Sequence, residues 1–126
     1  VAAPMVDAST LAFRLLCREH GCDLAFTPML NARLMATEPA YATRHYDPGE
    51  AQPLVAQLAG HDAQHLAAAA RMVSAHSDAI DFNLGCPQEI AKAGHYGAFL
   101  LEEAPELALK CTFFAIESIN FNLLKL

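Results

Sequence analysis

Short apolar runs alternate along this chain with segments in which apolar residues recur at helical spacing. The runs predict four short buried strands, at residues 2–6, 24–27, 53–59 and 79–84. Residues 28–52, between the second and third runs, have a mixed pattern in which only turns can be assigned. Strands separated by helices need crossover connections, so the pattern predicts an α/β fold with a parallel sheet.

The predicted helices begin at residues that are good caps. Ser9 can cap a first helix that ends at Glu19 and carries leucines at helical spacing. Asp62 can cap a second, alanine-rich helix that extends to about His76. A third helical pattern covers residues 98–109.

Polar residues fall at or near the carboxyl ends of successive predicted strands: Asp7, Thr27, Gln57 and Asn83. A doubly wound sheet and a barrel both fit the alternation, but (β/α) barrels collect their functional side chains on this face. Four such residues in register along successive units favour the barrel, which in its (β/α)8 TIM form usually has about 250 residues. This chain would supply about four β/α units of such a barrel.

The composition is that of a folded domain with more acidic than basic residues. The chain has 126 residues, of which 54% are hydrophobic and 17% charged, and its formal net charge is −6. This charge argues against a phosphate-binding surface built from the whole segment. Arg14 and Arg18 lie one helical turn apart and could meet phosphate, although a solvated helix face is the commoner place for such residues.

Cysteine usage and apolar run lengths indicate the compartment. The four cysteines form no C-x-x-C pair and no histidine stands beside them at metal-ligand spacing, so we expect no metal site. No apolar run approaches the roughly 18 residues that span a membrane, so we expect no membrane partner. The first residues do not look like a signal peptide and suggest a chain cut into an existing strand. A cytoplasmic location, with the nucleus as an alternative, is the expectation.

The segment from Asp81 to Gln88 carries the most chemical information. It predicts a buried strand that ends abruptly at Gly85 and delivers the amide of Asn83 and the thiol of Cys86 into one space. A thiol there can donate a proton or act as a nucleophile, and a buried structural cysteine is the alternative.

Five segments together resemble a known family, the tRNA-dihydrouridine synthases. They are residues 3–7 (APMVD), 13–18 (FRLLCR), 57–58 (QL), 83–88 (NLGCPQ) and 94–101 (GHYGAFLL). The resemblance covers about residues 2–107 and is greatest to the eukaryotic subgroup that acts on adjacent D-loop uridines. It implies a barrel enzyme that uses FMN and NAD(P)H to reduce the C5–C6 bond of uridine in tRNA.

The resemblance also implies roles for individual residues. Pro4 and Met5 would lie against the flavin ring, and Gln57 would hydrogen-bond its polar edge. Asn83 would orient the uracil, and Cys86 would be the general acid that protonates C5. This last role agrees with thiol chemistry, since a thiol of ordinary pKa, about 8.5, is mostly protonated at neutral pH.

The glycine-containing loop at residues 94–97 adds one candidate. It can move or approach RNA closely, and His95 within it is the further candidate for substrate contact. Ordinary turn chemistry is the alternative explanation for this loop.

Residues 1–109 are expected to form the N-terminal half of the FMN barrel and residues 110–126 an atypical tail. Two alternatives stay open for function. One is a truncated, non-catalytic relative that binds RNA or a partner, and the other is a flavin barrel of the dihydroorotate or dihydropyrimidine type. The chain on its own is expected to bind FMN poorly, because the later half of such barrels anchors the cofactor phosphate. The oligomeric state has no signal in the sequence.

Overall fold

The computed structural model describes residues 1–49 and 53–118, in which helices alternate with short strands. The strands are β1 (Ala25–Phe26), β2 (Leu30–Asn31), β3 (Leu54–Ala59) and β4 (Ala79–Phe82). The helices are α1 (Leu11–Glu19), α2 (Ala32–Thr37), α3 (Pro39–His45), α4 (Ala63–Ser74), α5 (Glu89–Ala93), α6 (Ala98–Glu103) and α7 (Pro105–Ser118). The chain is therefore an α/β protein.

Strand β3 is the centre of a parallel sheet. Every residue of β3 is buried, as its mostly apolar run, broken only by Gln57, predicts for a strand covered on both faces. Strand β4 pairs along one edge, from Val55↔Ala79 to Leu58↔Phe82. Because Val55 and Leu58 also pair with β1 and β2 respectively, the two short strands lie along the other edge of β3.

The edge formed by β1 and β2 is interrupted at Thr27 and Pro28. Proline has no N–H to donate to a sheet, which favours a break in the strand at this point. The hydroxyl of Thr27, fully buried, accepts a hydrogen bond from the main-chain N–H of Gln57 at 3.0 Å. A side chain thus replaces a main-chain partner in the sheet next to a predicted site residue.

The main hydrophobic core lies between the sheet and the helices α2, α4 and α7. Helix α4 turns one face towards β3, and its Leu66 and Val73 are fully buried there. Cys111 of α7 is also fully buried in this cluster. Burial of a side chain the size of leucine stabilises the fold by about 1.5–3 kcal/mol.

The amino terminus differs from the prediction in two ways. In place of a strand at residues 2–6, a single parallel bridge joins Ala2 to Ala25. Helix α1 is capped by Thr10, whose hydroxyl accepts from Phe13 N–H, and not by Ser9. The Ser9 hydroxyl instead accepts from Met5 N–H at 2.8 Å and donates to the carbonyl of Ala3.

Arg14 does not lie on a solvated helix face. It is 1% exposed and donates to the carbonyl oxygens of Ser9 at 2.7 Å and Asp47 at 2.6 Å. Arg18 lies closer to solvent and donates to the carbonyl of Pro53 at 2.8 Å. Arg14 therefore ties the loop before α1 to the loop after α3.

The predicted helix at residues 98–109 is divided into α6 and α7. Pro105 begins α7, because proline fits the first turn of a helix but interrupts a helix interior. Helix α7 continues through the expected boundary between residues 109 and 110, and packs against α4. The part of the expected tail from residue 119 to 126 lies outside the described residues.

Candidate functional site

A cleft of about 630 Å³ opens at the carboxyl ends of β3 and β4. Of the six residues predicted for the site, the cleft brings together five: Pro4, Met5, Gln57, Asn83 and Cys86. The remainder of its lining comes from Val6, Met29 and residues 81–88. Residues far apart in the chain thus meet at this face because the strands are parallel and each loop leaves from the same edge.

A chain of side-chain hydrogen bonds crosses the cleft. Gln57 Nε2 donates to Asp81 Oδ2 at 2.6 Å, and Gln57 Oε1 accepts from Asn83 Nδ2 at 3.0 Å. Asn83 Oδ1 in turn accepts from the main-chain N–H of Gly85 and of Cys86, at 3.1 and 2.9 Å. Side chains from two neighbouring strands therefore connect to the main chain of the loop that carries the thiol.

Cys86 is half-buried and is held from two directions. Its N–H is bound by Asn83, and its carbonyl accepts from Ala98 N–H at 3.1 Å, at the start of α6. Like Met29, it packs against a small buried cluster that includes Ala91 and the ring of Tyr96. Burial raises the pKa of the Tyr96 phenol, and the nearby Cys86 thiol raises it further.

Hydrogen bonds from Ser9 hold the segment that contains Pro4 and Met5. The Ser9 hydroxyl bridges Met5 N–H and the Ala3 carbonyl, and the Ser9 carbonyl accepts from the buried Arg14. The side chain of Met5 remains 39% exposed, so it is available to a molecule in the cleft. Pro4 and Met5 thus present a firmly held surface.

His95 is not among the residues that line the cleft. Its exposed ring lies 3.1 Å from Glu103 Oε2 and edge-on to His61, with 6.1 Å between ring centroids. His95 also has a positive φ of 52°, which is uncommon for a non-glycine residue. The loop that carries His95 is nevertheless linked to the site, since Ala98 holds the Cys86 carbonyl.

Three residues that shape the cleft or support its wall have no role in the site on sequence grounds: Asp81, Met29 and Ser9. Asp81 stands two residues before Asn83, and alternate residues of a strand face the same side. That spacing could have identified Asp81. Nothing in the local pattern could have identified Met29, whose sulfur lies 3.4 Å from Asn83 Nδ2.

The described residues contain neither a metal-binding cluster nor a membrane-spanning helix. Within residues 1–49 and 53–118, no group of three or more histidine, cysteine or carboxylate side chains is arranged to hold a metal ion. In the same part of the chain, no helix has the length and apolar character needed to cross a membrane.

The fold and the cleft define an α/β protein with its site at the carboxyl edge of a parallel sheet. The family model for dihydrouridine synthase (Dus) matches residues 1–116, and the chain belongs to this family. It is 50% identical over 107 residues to the Saccharomyces cerevisiae tRNA-dihydrouridine(16/17) synthase [NAD(P)(+)], covering 82% of this chain and 25% of the yeast protein.

Two further relatives belong to the same family of synthases. The Mus musculus tRNA-dihydrouridine(16/17) synthase [NAD(P)(+)]-like protein is 48% identical over 106 residues, covering 82% of this chain and 22% of the mouse protein. The Homo sapiens tRNA-dihydrouridine(20a/20b) synthase [NAD(P)+]-like protein is 44% identical over 112 residues, covering 85% of this chain and 34% of the human protein. The chain thus spans about a quarter to a third of the length of these curated relatives.

Proposed function

We propose that this chain is the N-terminal part of a (β/α)8 barrel that reduces the C5–C6 bond of uridine in the tRNA D-loop, with NAD(P)H as reductant. The observation that carries the proposal is the meeting of Pro4, Met5, Gln57, Asn83 and Cys86 on one cleft. The 50% identity to a 16/17 synthase supports positions 16 and 17 as the target.

The cleft fits the ring of FMN in size and in chemistry. Its volume of about 630 Å³ lies within the usual range for small-molecule sites, about 300–1,000 Å³. The side-chain amide of Gln57 uses one N–H and one lone pair within the protein, and an amide offers two of each. Gln57 can therefore still hydrogen-bond a heterocycle with both a donor and an acceptor.

The five predicted residues of the cleft divide the work of binding and proton transfer. When bound, reduced FMN supplies the hydride that adds to C6 of the uracil. Pro4 and Met5 hold the face of the ring, and Gln57 binds its polar edge. The Cys86 thiol gives its proton to C5, which balances the added hydride and leaves a thiolate that solvent reprotonates.

Asn83 is proposed to orient the uracil by exchanging one partner. Its Nδ2 has a strong acceptor in Gln57 Oε1 and a weak one in the thioether of Met29 at 3.4 Å. A uracil carbonyl can replace the sulfur without disturbing the rest of the network. The base has to leave its stack to enter such a cleft, so a loop uridine is the suitable substrate.

His95 remains a proposed substrate contact, although it does not line the cleft as the other five predicted residues do. It is exposed and belongs to the loop that Cys86 holds through Ala98. If it binds RNA at the rim of the cleft, His95→Ala will raise the KM for tRNA and leave kcat nearly unchanged. A fall in kcat with an unchanged KM, so that kcat and kcat/KM fall equally, would instead assign it a role in the chemical step.

The deciding experiment uses the protein as expressed from its own gene and tRNA that lacks dihydrouridine at positions 16 and 17. Bound flavin is measured by absorbance and the product by mass spectrometry of the tRNA. Cys86→Ala is expected to retain the flavin and to lose product formation by about 100-fold or more, as for removal of a general acid. Cys22→Ala, which changes a cysteine outside the cleft lining, is the matched control. Undiminished activity of Cys86→Ala would exclude the assigned role.

A further inference from the structure

The two amide side chains of the cleft are held in one orientation by groups that cannot exchange roles. An isolated amide can turn by 180° and interchange its donor and acceptor ends. At one end of the network, the Asp81 carboxylate can only accept, and it faces Gln57 Nε2 at 2.6 Å.

The opposite end imposes the same direction independently. The main-chain N–H groups of Gly85 and Cys86 can only donate, and both point to Asn83 Oδ1. Asn83 must then direct its NH₂ group towards Gln57, and Gln57 must direct its carbonyl towards Asn83. The orientation required by the carboxylate and the orientation required by the loop agree.

We propose that Asp81 is a positioning residue that sets the direction of this network and, through Gln57 and Asn83, holds the main chain of the Cys86 loop. If Gln57 turned over, its carbonyl would face the Asp81 carboxylate, two acceptors without a proton between them. Asn83 would then face the NH₂ group of Gln57 and could keep that contact only by turning its carbonyl away from the loop.

This inference deepens the proposed function. The expected effect of Asp81 on catalysis rests on that proposed function. Asp81 need not touch uridine: its effect on proton donation by Cys86 would be exerted through the position of the loop. Its effect on the loop itself is a property of the folded chain. The two consequences can therefore be measured separately.

The experiment compares Asp81→Asn and Asp81→Leu in the protein as expressed from its own gene. The first readout is the hydrogen-exchange rate of the Gly85 and Cys86 amides, measured by NMR without any substrate. The second is the separation of kcat from the KM for tRNA. We expect faster exchange and a kcat lowered by about tenfold in Asp81→Asn, and more in Asp81→Leu, because hydrogen bonds to charged groups are stronger than neutral ones.

Asp78→Asn is the matched control. Asp78 Oδ2 also accepts a hydrogen bond, from Leu54 N–H at 2.8 Å, but at the amino end of the same pair of strands. Asp78→Asn is expected to lower stability without changing exchange at Gly85 and Cys86 relative to neighbouring loop amides.

Exchange and kcat in both Asp81 variants equal to those of Asp78→Asn would overturn the inference. If Asp81→Leu does not fold, Asp81→Asn decides alone, by the same criteria. If the unaltered protein neither binds flavin nor reduces tRNA, the proposed function fails, and the exchange comparison still decides the role of Asp81.

Discussion

Gly97 lies so close to Cys86 that a side chain on it would meet the Cys86 main chain. A Cβ atom at Gly97 would stand 2.6 Å from the Cys86 carbonyl oxygen and 3.0 Å from the Cys86 Cβ. Gly97 also has φ 65° and ψ −138°, a conformation that only glycine adopts readily. The loop before α6 can therefore approach the thiol-bearing loop only with glycine at this position.

Gly97→Ala is expected to destabilise the fold and to displace the Cys86 loop. The strained backbone alone costs about 1–3 kcal/mol, and the contact with the Cys86 main chain adds to it. Gly21→Ala is the matched control, because Gly21 has φ 86° but nothing within 4 Å of the added Cβ. Urea unfolding measures the loss in each variant, and the alkylation rate of Cys86 reports the loop. Equal losses in the two variants would show that the close contact at Gly97 has no energetic effect.

Arg14→Met is expected to cost about 2–4 kcal/mol of unfolding free energy, because two carbonyl oxygens lose a charged donor in a buried place. Arg18→Met serves for comparison, since Arg18 makes its hydrogen bonds nearer to solvent and should cost within about 1 kcal/mol. Thermal or urea unfolding measures both. Similar losses would mean that the links from Arg14 to Ser9 and Asp47 contribute little.

Ser9→Ala is expected to loosen the segment at Pro4 and Met5. The change removes one hydroxyl that serves both Met5 N–H and the Ala3 carbonyl, at a cost of about 1–3 kcal/mol. Flavin affinity, measured by fluorescence, should weaken in parallel. Thr10→Ala removes only the helix cap and should lower stability by about 1 kcal/mol or less without a change in flavin affinity. A flavin affinity that falls equally in both variants would contradict this assignment.

Cys111 should make the protein less stable in alkali. Burial raises the pKa of its thiol, and the Asp62 carboxylate raises it further. Below the ordinary thiol pKa, about 8.5, both folded and unfolded chains carry the proton. As the pH rises from the ordinary pKa through the raised pKa, the unfolded chain releases the proton while the folded chain still holds it, so stability is lost.

The measurement is the urea unfolding free energy at pH 7 and pH 9.5. Cys111→Ala should lose less between these values than the unaltered protein, and Cys17→Ala should lose as much. The interval stays below pH 10, because the phenols of half-buried Tyr46 and buried Tyr96, whose pKa values are also raised, ionise above it. Parallel losses in all three proteins would contradict the assignment to Cys111.

The local sequence pattern predicted the central strand of the sheet and the helix whose cap and composition favour a helix by themselves. Strand β3 followed from an apolar run that only Gln57 breaks, and α4 from its Asp62 cap and alanine content. The break at Pro105 was also visible in the sequence, and the prediction of one helix across it was wrong because the apolar pattern continues on both sides.

Other features depend on partners far away in the chain. Arg14 has the spacing of a surface residue, and its burial depends in part on the carbonyl of Asp47, which the fold brings near. The roles predicted for the cleft residues stay predictions. The sequence could not show which of these side chains hydrogen-bond each other, because Gln57 and Asn83 meet only through the pairing of β3 with β4.

The hydrogen-bond network from Asp81 to Cys86 also has an evolutionary consequence. Its direction is required at both ends, so a change at Asp81, Gln57 or Asn83 that removes or reverses a donor or acceptor leaves a neighbouring polar group without its partner. Such a mismatch is relieved only by a second change at a neighbouring position. We therefore expect these three positions to vary together among relatives, with exchanges that preserve one donor facing one acceptor at each contact.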